Sequence, residues 1–512
     1  MDQPQGNHVV ALKVLFKSQL KIVSVGAPGW LFTLYMKELF TSLGIYNIID
    51  SIGSLTDSVA HTSYLNHASN IVSEWTLYLR YSRVFLSVGC GKSFTSTFVL
   101  GRIGELETAG GSLSNAITNI TGFSVIYGLS MGMDGITPQA YGASNFTFMA
   151  QTLHRTMLIL LTTTIPITIL WLNAKPVLIF AGQDVKVSEI AATYMYFTIP
   201  SLFLQCFIQP IKIYLKAKEV TRPIIIGSVL ALLTHVAING LVLWFEFGIK
   251  GAALAVVVTD IVYLLTLLVY MHTTCDISIR TFDFVECFAE LTPILSLAIP
   301  SCWSACLEWW FYDLMIFLSG LLPKDTKANI SAMNFLLQAT SLIYIFPLAL
   351  SSAVSARVGR ELGSNLPKKA KKVSFIAVSC AFIIGFIAVA FTTMTRKSWG
   401  SIFTKDKTII LLITTVMPVL GVCEIANCPQ TTISGMLSGC ARPNLGAWIY
   451  FGAFYVIGLP MAGFMGFAKG MGLLGLWYGL LVAQWACFIL MLISLLKTDW
   501  EKEADRAQEL VN

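Results

Sequence analysis

Eleven stretches of the chain, near 111–133, 155–173, 188–208, 223–245, 251–271, 291–321, 330–354, 373–394, 408–428, 444–466 and 472–496, are almost continuously apolar. Each approaches the roughly 20 residues that a helix needs to cross a bilayer. Inside lipid every backbone N–H and C=O must be satisfied within the structure, so runs of this length are expected to be α-helices. The expected class is an all-α polytopic membrane protein. Composition agrees: 12% of residues are charged and the mean hydropathy is +0.71, against about 25% charged residues in soluble domains.

Orientation follows from the basic residues. If one further span precedes residue 101, nineteen Lys and Arg fall in one set of loops, eleven in the other and four in the stretch 37–100. The richer set, which counts Arg155, Lys212, Lys216, Arg357 and Arg360 as loop residues, is expected to be cytoplasmic together with both termini. The tract PKKAKK then reads as a solvated loop at the membrane surface, and no nucleic-acid partner is expected. The start MDQPQGNHVV lacks the charged segment and apolar core of a cleaved signal. The eleven cysteines show no paired spacing, so neither a disulfide framework nor a metal site is expected.

A weak internal repeat is present. Ser124-Val125-Ile126-Tyr127 recurs as Ser341-Leu342-Ile343-Tyr344, Gly142 to Asn145 as Gly363 to Asn365, Arg222-Pro223 as Arg442-Pro443, and Lys250-Gly251 as Lys469-Gly470. The four matches keep their order at offsets of 217 to 221. They imply two six-helix halves, 1–275 and 276–512, related by a pseudo-twofold along the membrane normal. Such repeats are common in transporters whose site lies near mid-membrane. One stretch breaks the pattern: residues 37–96 are polar, with no apolar run of 20 residues. They are expected to interrupt the first helix, either as a splice or gene-model feature or as an extramembrane insertion. Within them SVGCGKS has Leu86 where a phosphate-binding loop needs glycine, so that motif is rejected.

The stretch ACLEWWFYDLMIFLSG places Glu308 and Asp313 in an apolar span. A charge at the bilayer centre costs about 2.5–3.5 kcal/mol on insertion scales, so acids there tend to face cavities. Glu308 follows Pro300 by eight residues, and proline weakens the helix and eases bending. Ser304 and Tyr312 share its face, whereas Asp313 lies about 140° round the helix. Burial disfavours a charged carboxylate and a nearby cation favours it; a proton and a cationic solute therefore compete for one group. Glu424 is a second intramembrane acid, with Asn427 beside it and Pro429 following. Trp309, Trp310 and Tyr312 offer faces for aromatic or cationic solutes. His235 and Asp260, also within spans, read as polar packing.

Four segments carry a resemblance: LGRIGELETAGGSLSNAITNITGFSVIYGLSMGMDGITPQAYGASN, IPSCWSACLEWWFYDLMIFLSGLL, QATSLIYIFPLALSSAVSARVGRELGSN and CEIANCPQTTISGMLSGCARP. Together they resemble plant MATE (multidrug and toxic compound extrusion) transporters over roughly 98–497. The resemblance implies twelve helices in two lobes around a cavity, and export of organic solutes (cations, phenolics or hormone-like metabolites) against inward proton flow. It carries the proton site onto Glu308, a second acid onto Asp313, a polar cavity position onto Gln338, and the family motif onto Gln139, Ala140 and Gly142. Thr137-Pro138 depart from the usual residues before that motif. The protein is expected to act as a monomer in the bilayer, with the proton as coupling ion, no other cofactor and no enzymatic activity.

Other classes fit the residues less well. A facilitator-type metabolite carrier also has two six-helix halves but needs a basic loop after its second span, where this chain has GITPQAYGASN. A lipid flippase needs a cationic cavity, and few Lys or Arg fall within the apolar runs. The broken first helix leaves open a transport-inactive or regulatory isoform.

Overall fold

The computed structural model describes residues 91–92, 95–96, 98–274, 291–323, 325–404 and 406–511. Its regular structure is helical throughout. α1 (Glu105–Thr118) passes through a π-helical turn (Asn119–Phe123) into α2 (Ser124–Ser130), followed by α3 (Met133–Gly142). Then come α4 (Phe146–Leu172), α5 (Ala174–Phe180), α6 (Val185–Ala217), α7 (Arg222–Trp244) and α8 (Gly248–Thr274). The second half comprises α9 (Leu291–Gly320), α10 (Thr326–Gly363), α11 (Pro367–Thr395), α12 (Trp399–Phe403) and α13 (Lys407–Gly439). α14 (Pro443–Tyr450), α15 (Leu459–Gly463) and two π-helical stretches form one continuous path to Ala468, before α16 (Gly472–Leu496) and α17 (Trp500–Val511).

Local chemistry sets the starts of these helices. Asn145, Asp184 and Asp406 accept from the first-turn amides of α4, α6 and α13, satisfying donors that a helix start leaves open. Pro223 and Pro443 open α7 and α14, where the missing N–H costs nothing. Ten of the described helices are long and apolar enough to cross a membrane.

Each of the expected apolar stretches falls on helix, the first of them on the segmented path through α1, α2 and α3. Two expectations are corrected. The helices outrun the apolar stretches, so Arg155, Lys212, Lys216, Arg357 and Arg360, counted above as loop residues, lie on α4, α6 and α10, and the PKKAKK tract, read above as a loop, forms the first turns of α11. Apolarity marks only the part of a helix that meets lipid, whereas backbone pairing continues for another turn or two where polar side chains find partners. Secondly, the end of the expected interruption is built into the fold. Residues 91–92 and 95–96 are helical, Lys92 Nζ lies 3.3 Å from Asp260 Oδ1, and Ser96 Oγ lies 3.0 Å from His235 Nε2. The rest of 37–96, with Leu86, and the first helix itself lie outside the described residues.

Helix association in lipid depends on close packing more than on the hydrophobic effect, so small residues sit at crossings. Ala332, Ala339, Ala353, Ala377, Ala381 and Ala426 are all buried in the core formed by α9 to α17. The contact between the halves is reciprocal. A Cβ on Gly142 would stand 2.1 Å from the Arg360 carbonyl oxygen, and one on Gly363 would stand 2.0 Å from that of Gln139. Gln139 and Arg360, like Gly142 and Gly363, are 221 residues apart. Paired contacts of this kind mark a twofold interface. Ser355 Oγ donates to the Asp134 carbonyl oxygen at 3.1 Å, and those two residues are also 221 apart, so the pseudo-axis runs between α3 and α10.

Candidate functional site

Two cavities meet between the halves. The smaller, about 50 Å³, is bounded by Glu308, Ser304, Tyr344, Thr431 and Tyr450. The larger, about 350 Å³, is bounded by Asp134, Gln209, Lys212, Lys216, Ser352 and Ser355. Both share Tyr127, Met131, Trp309, Leu348, Ser351 and Ser434, so they are two ends of one space.

Glu308 is 5% exposed. Its Oε2 accepts from the Tyr344 hydroxyl at 3.3 Å, while Oε1 has no hydrogen-bond partner. The hydroxyls expected on its own helix are engaged elsewhere: Ser304 Oγ donates to the Pro443 carbonyl oxygen at 3.5 Å, and Tyr312 Oη accepts from Gln484 Nε2 at 3.0 Å. A buried polar oxygen left unpaired is costly, and one that lines a cavity can be satisfied by a proton or by a ligand donor. Pro300 lies inside α9 without ending it.

Glu424 is fully buried on α13 and lines neither cavity. Thr340 Oγ1 donates to its Oε1 at 2.5 Å and Asn427 Nδ2 to its Oε2 at 2.9 Å. Gln430 Nε2 extends the chain to Asn427 Oδ1 at 3.1 Å, next to the cavity-lining Thr431. Glu424 is thus a satisfied acid behind the cavity wall, and Glu308 a half-satisfied one on it.

The other sequence candidates divide. Trp309 lines both cavities and stacks on Tyr127, with ring centroids 5.2 Å apart and planes at 17°. Trp310, Tyr312 and Asn427 line neither. Asp313 is exposed and remote from both, as its 140° offset from Glu308 requires. Gln338 is exposed and lines neither cavity. Gln139 Nε2 donates across the halves to the Gly439 carbonyl oxygen at 2.9 Å. Ala140 is fully buried next to it, and Gly142 makes the close approach to α10.

Sequence reasoning missed a polar stripe on α6. Ser201 and Gln205 donate to Asp260 Oδ2, Gln205 doing so at 3.0 Å. Gln209 Nε2 donates to Gln205 Oε1 at 2.8 Å, and Lys212 Nζ to Gln209 Oε1 at 3.0 Å. Lys216 Nζ then meets Asp134 Oδ1 at 2.6 Å and Ser352 Oγ at 3.1 Å. The signal was a helical-period row of polar residues, Ser201, Gln205, Gln209, Lys212 and Lys216, which runs through the end of an apolar stretch. Asp260 and His235, read as polar packing, do have side-chain partners on neighbouring segments.

The MatE family model matches residues 90–241 and 300–463. The chain is 44% identical over 440 residues to Protein DETOXIFICATION 48 of Arabidopsis thaliana, covering 85% of this chain and 80% of that protein. The chain belongs to the MatE family. It is therefore a multi-pass membrane transporter for the efflux of small organic compounds, and not an enzyme. Protein DETOXIFICATION 49 of Arabidopsis thaliana is 41% identical over 457 residues, 87% of this chain and 90% of that protein. Among solved structures, the crystal structure of the eukaryotic MATE transporter AtDTX14 matches with a TM-score of 0.81 at 27% identity, over 86% of this chain and all of that one. The Vibrio cholerae MATE transporter VcmN, crystallised in a mutant form, shares the fold with a TM-score of 0.77 at 15% identity, over 85% of this chain and 99% of that one. The MatE transporter structures have twelve helices in two lobes, the architecture expected from the internal repeat.

Proposed function

We propose that the chain is a proton-coupled antiporter that exports small organic solutes by alternating access, with Glu308 as the group that trades a proton for cargo. One observation carries this reading: the buried Glu308 carboxylate faces the cavity with one oxygen hydrogen-bonded and the other without a partner. Such a group can hold a proton while the cavity is empty and accept from a donor on the cargo when it is filled. Glu424, linked through Thr340, Asn427 and Gln430, supplies a second acid behind the wall. The solute class comprises organic cations, phenolics and hormone-like metabolites, and the proton gradient is the driving force with no further cofactor; 100 mV moves a unit charge with about 2.3 kcal/mol. The division into lobes falls between residues 275 and 276, both termini are cytoplasmic, and the monomer in its bilayer is the working unit.

The test uses the full chain in liposomes with an acidic lumen and ethidium outside. The expected result is dye accumulation that collapses with the proton gradient and falls at least about tenfold in Glu308→Gln, equivalent to about 1.4 kcal/mol. Undiminished gradient-driven accumulation by Glu308→Gln would overturn the role of that residue. Accumulation driven by a sodium gradient alone, with no response to protons, would overturn the coupling ion.

A further inference from the structure

The thiols of Cys302 and Cys306 on α9 lie beside the cavity without lining it. Ser301, Ala305 and Trp309, their neighbours on that helix, line the smaller cavity, whereas the thiols turn to the crossing of α9 with α2. The halves meet closely there. A Cβ on Gly132 would stand 2.7 Å from Ala298 Cα, and one on Gly128 would stand 2.7 Å from Cys302 Cα. Cys306 comes one step of four further along α9, as Ser124 does along α2, and its Sγ donates to the Ser124 hydroxyl oxygen at 3.9 Å. Cys302 Sγ donates to the Val125 carbonyl oxygen at 3.8 Å. The two sulfurs are 3.9 Å apart. Cys306 is buried and Cys302 half-buried, so the pair can be reached from the Cys302 side.

We propose that Cys302 and Cys306 form a two-sulfur site for a thiophilic atom that bonds both sulfurs and ends without net charge, the class of the mercuric ion and of arsenic(III) with one carbon substituent. A spacing of four matches no disulfide framework or zinc pattern, but on a helix it is about one turn. Geometry rules out the commoner fate of two thiols. Helical Cβ atoms four residues apart are roughly 5–6 Å from each other, whereas a disulfide needs about 3.5–4.5 Å. Sulfurs that touch while their Cβ atoms stay apart suit an atom inserted between them. Thiolates select soft acceptors, and the surroundings choose among these by charge. The groups the pair touches on α2 are a hydroxyl, a carbonyl and a glycine, and an unpaired charge buried among such neighbours is costly. Two thiolates on a monovalent ion leave a negative charge, and structural zinc takes four ligands. A divalent ion held by two sulfurs leaves none, and neither does a singly substituted arsenic. With an arsenoxide, R–As=O, two As–S bonds form, both S–H bonds break, and the oxygen departs as water with the two protons; nothing is oxidised or reduced. The site is separate from Glu308 and does not depend on the exchange reading.

The experiment treats the purified full-length protein in nanodiscs with one equivalent of phenylarsine oxide, then alkylates the remaining thiols and digests with trypsin. The fragment 281–324 holds Cys287, Cys302 and Cys306. It is expected to gain one phenylarsenic unit in place of two hydrogens, with Cys287 alkylated and Cys302 and Cys306 not. A wild-type fragment in which Cys302 and Cys306 are not protected together overturns the proposal, and this holds even if no variant folds. A second measurement titrates the adduct with 2-mercaptoethanol, which competes for one sulfur at a time. Stripping the wild type is expected to need about 100-fold more of this monothiol than stripping Cys302→Ser or Cys306→Ser, at the low end of what linking two binding events gives. Serine keeps a hydroxyl donor for the partners on α2, so these variants test the sulfur and not the packing. The dithiol 2,3-dimercaptopropanol is expected to release the arsenic from the wild type. Equal ease of stripping in wild type and variants overturns the proposal, because single thiols give that pattern. Resistance that survives in both variants places the bridge on other cysteines and overturns it too.

Discussion

Glu308 and Glu424 show how one residue type takes two roles through its neighbours. Both are carboxylates in apolar spans of the same half, but Glu424 receives donors on both oxygens within 2.9 Å, whereas Glu308 accepts from Tyr344 at 3.3 Å on Oε2 and has no hydrogen bond on Oε1. The difference predicts unequal costs for two small substitutions. Thr340→Val keeps the volume and removes the hydroxyl from Glu424, which costs about 1–3 kcal/mol for a buried acceptor left unpaired. It is expected to lower the thermal unfolding midpoint in detergent. Tyr344→Phe removes a long bond at a cavity wall and is expected to cost less than about 1 kcal/mol. An unchanged midpoint for Thr340→Val would show that the hydroxyl does not hold Glu424.

At the scale of elements, α17 joins the two halves at one end of the molecule. Its Glu503 pairs with Arg442 at 2.9 Å, Gln508 Nε2 donates to the Gly363 carbonyl oxygen at 2.6 Å, and the Val511 carbonyl oxygen accepts from Asn145 at 2.8 Å. The Val511 side chain is buried among residues of the first half. Val511→Asp loses that burial and brings a charge into its place, so it is expected to destabilise by at least about 2 kcal/mol. Hydrogen exchange in α17 would report it as faster exchange confined to that helix and its contacts; unchanged exchange would count against the bridge. This element, unlike the spans, had no apolar run to announce it. The spans were legible because lipid demands continuous apolarity, and Glu308 was legible because it violates that demand. The lysines of α6 were not, because the apolar run ends near residue 208 while the helix continues to Ala217. Tyr344 as the partner of Glu308 was also unseen, although the repeat already matched it to Tyr127, and both line the cavity. Sequence periodicity gives the face of a helix but not the identity of the face opposite, which only the packing of the two halves decides.

For the whole molecule, the reciprocal approach of Gly142 to Arg360 and of Gly363 to Gln139 closes the halves against each other at the end that carries α17. Alternating access requires this closure to be strong enough to hold and weak enough to release. The backbone contacts are tight, and the charged contacts around them are modest. Glu219, just past α6, pairs with Arg360 and lies 3.8 Å from Arg357, both on α10. Its side chain is 41% exposed, so this pairing contributes only about 0.2–1 kcal/mol. Reversing its sign in Glu219→Arg replaces the attraction by repulsion of similar size, a change of about 0.4–2 kcal/mol. That shifts the ratio of closed to open forms by roughly 2–30-fold. The measurement is the rate at which a membrane-impermeant maleimide, added from the side of α17, labels Ser438→Cys on the cavity wall. Labelling is expected to accelerate in Glu219→Arg and to return toward the original rate in Glu219→Arg combined with Arg360→Glu, where attraction is restored with exchanged signs. Acceleration that the second substitution fails to reverse would assign the effect to local damage, and no acceleration at all would leave the closure to the glycine contacts and to the Lys216, Asp134 and Ser352 cluster.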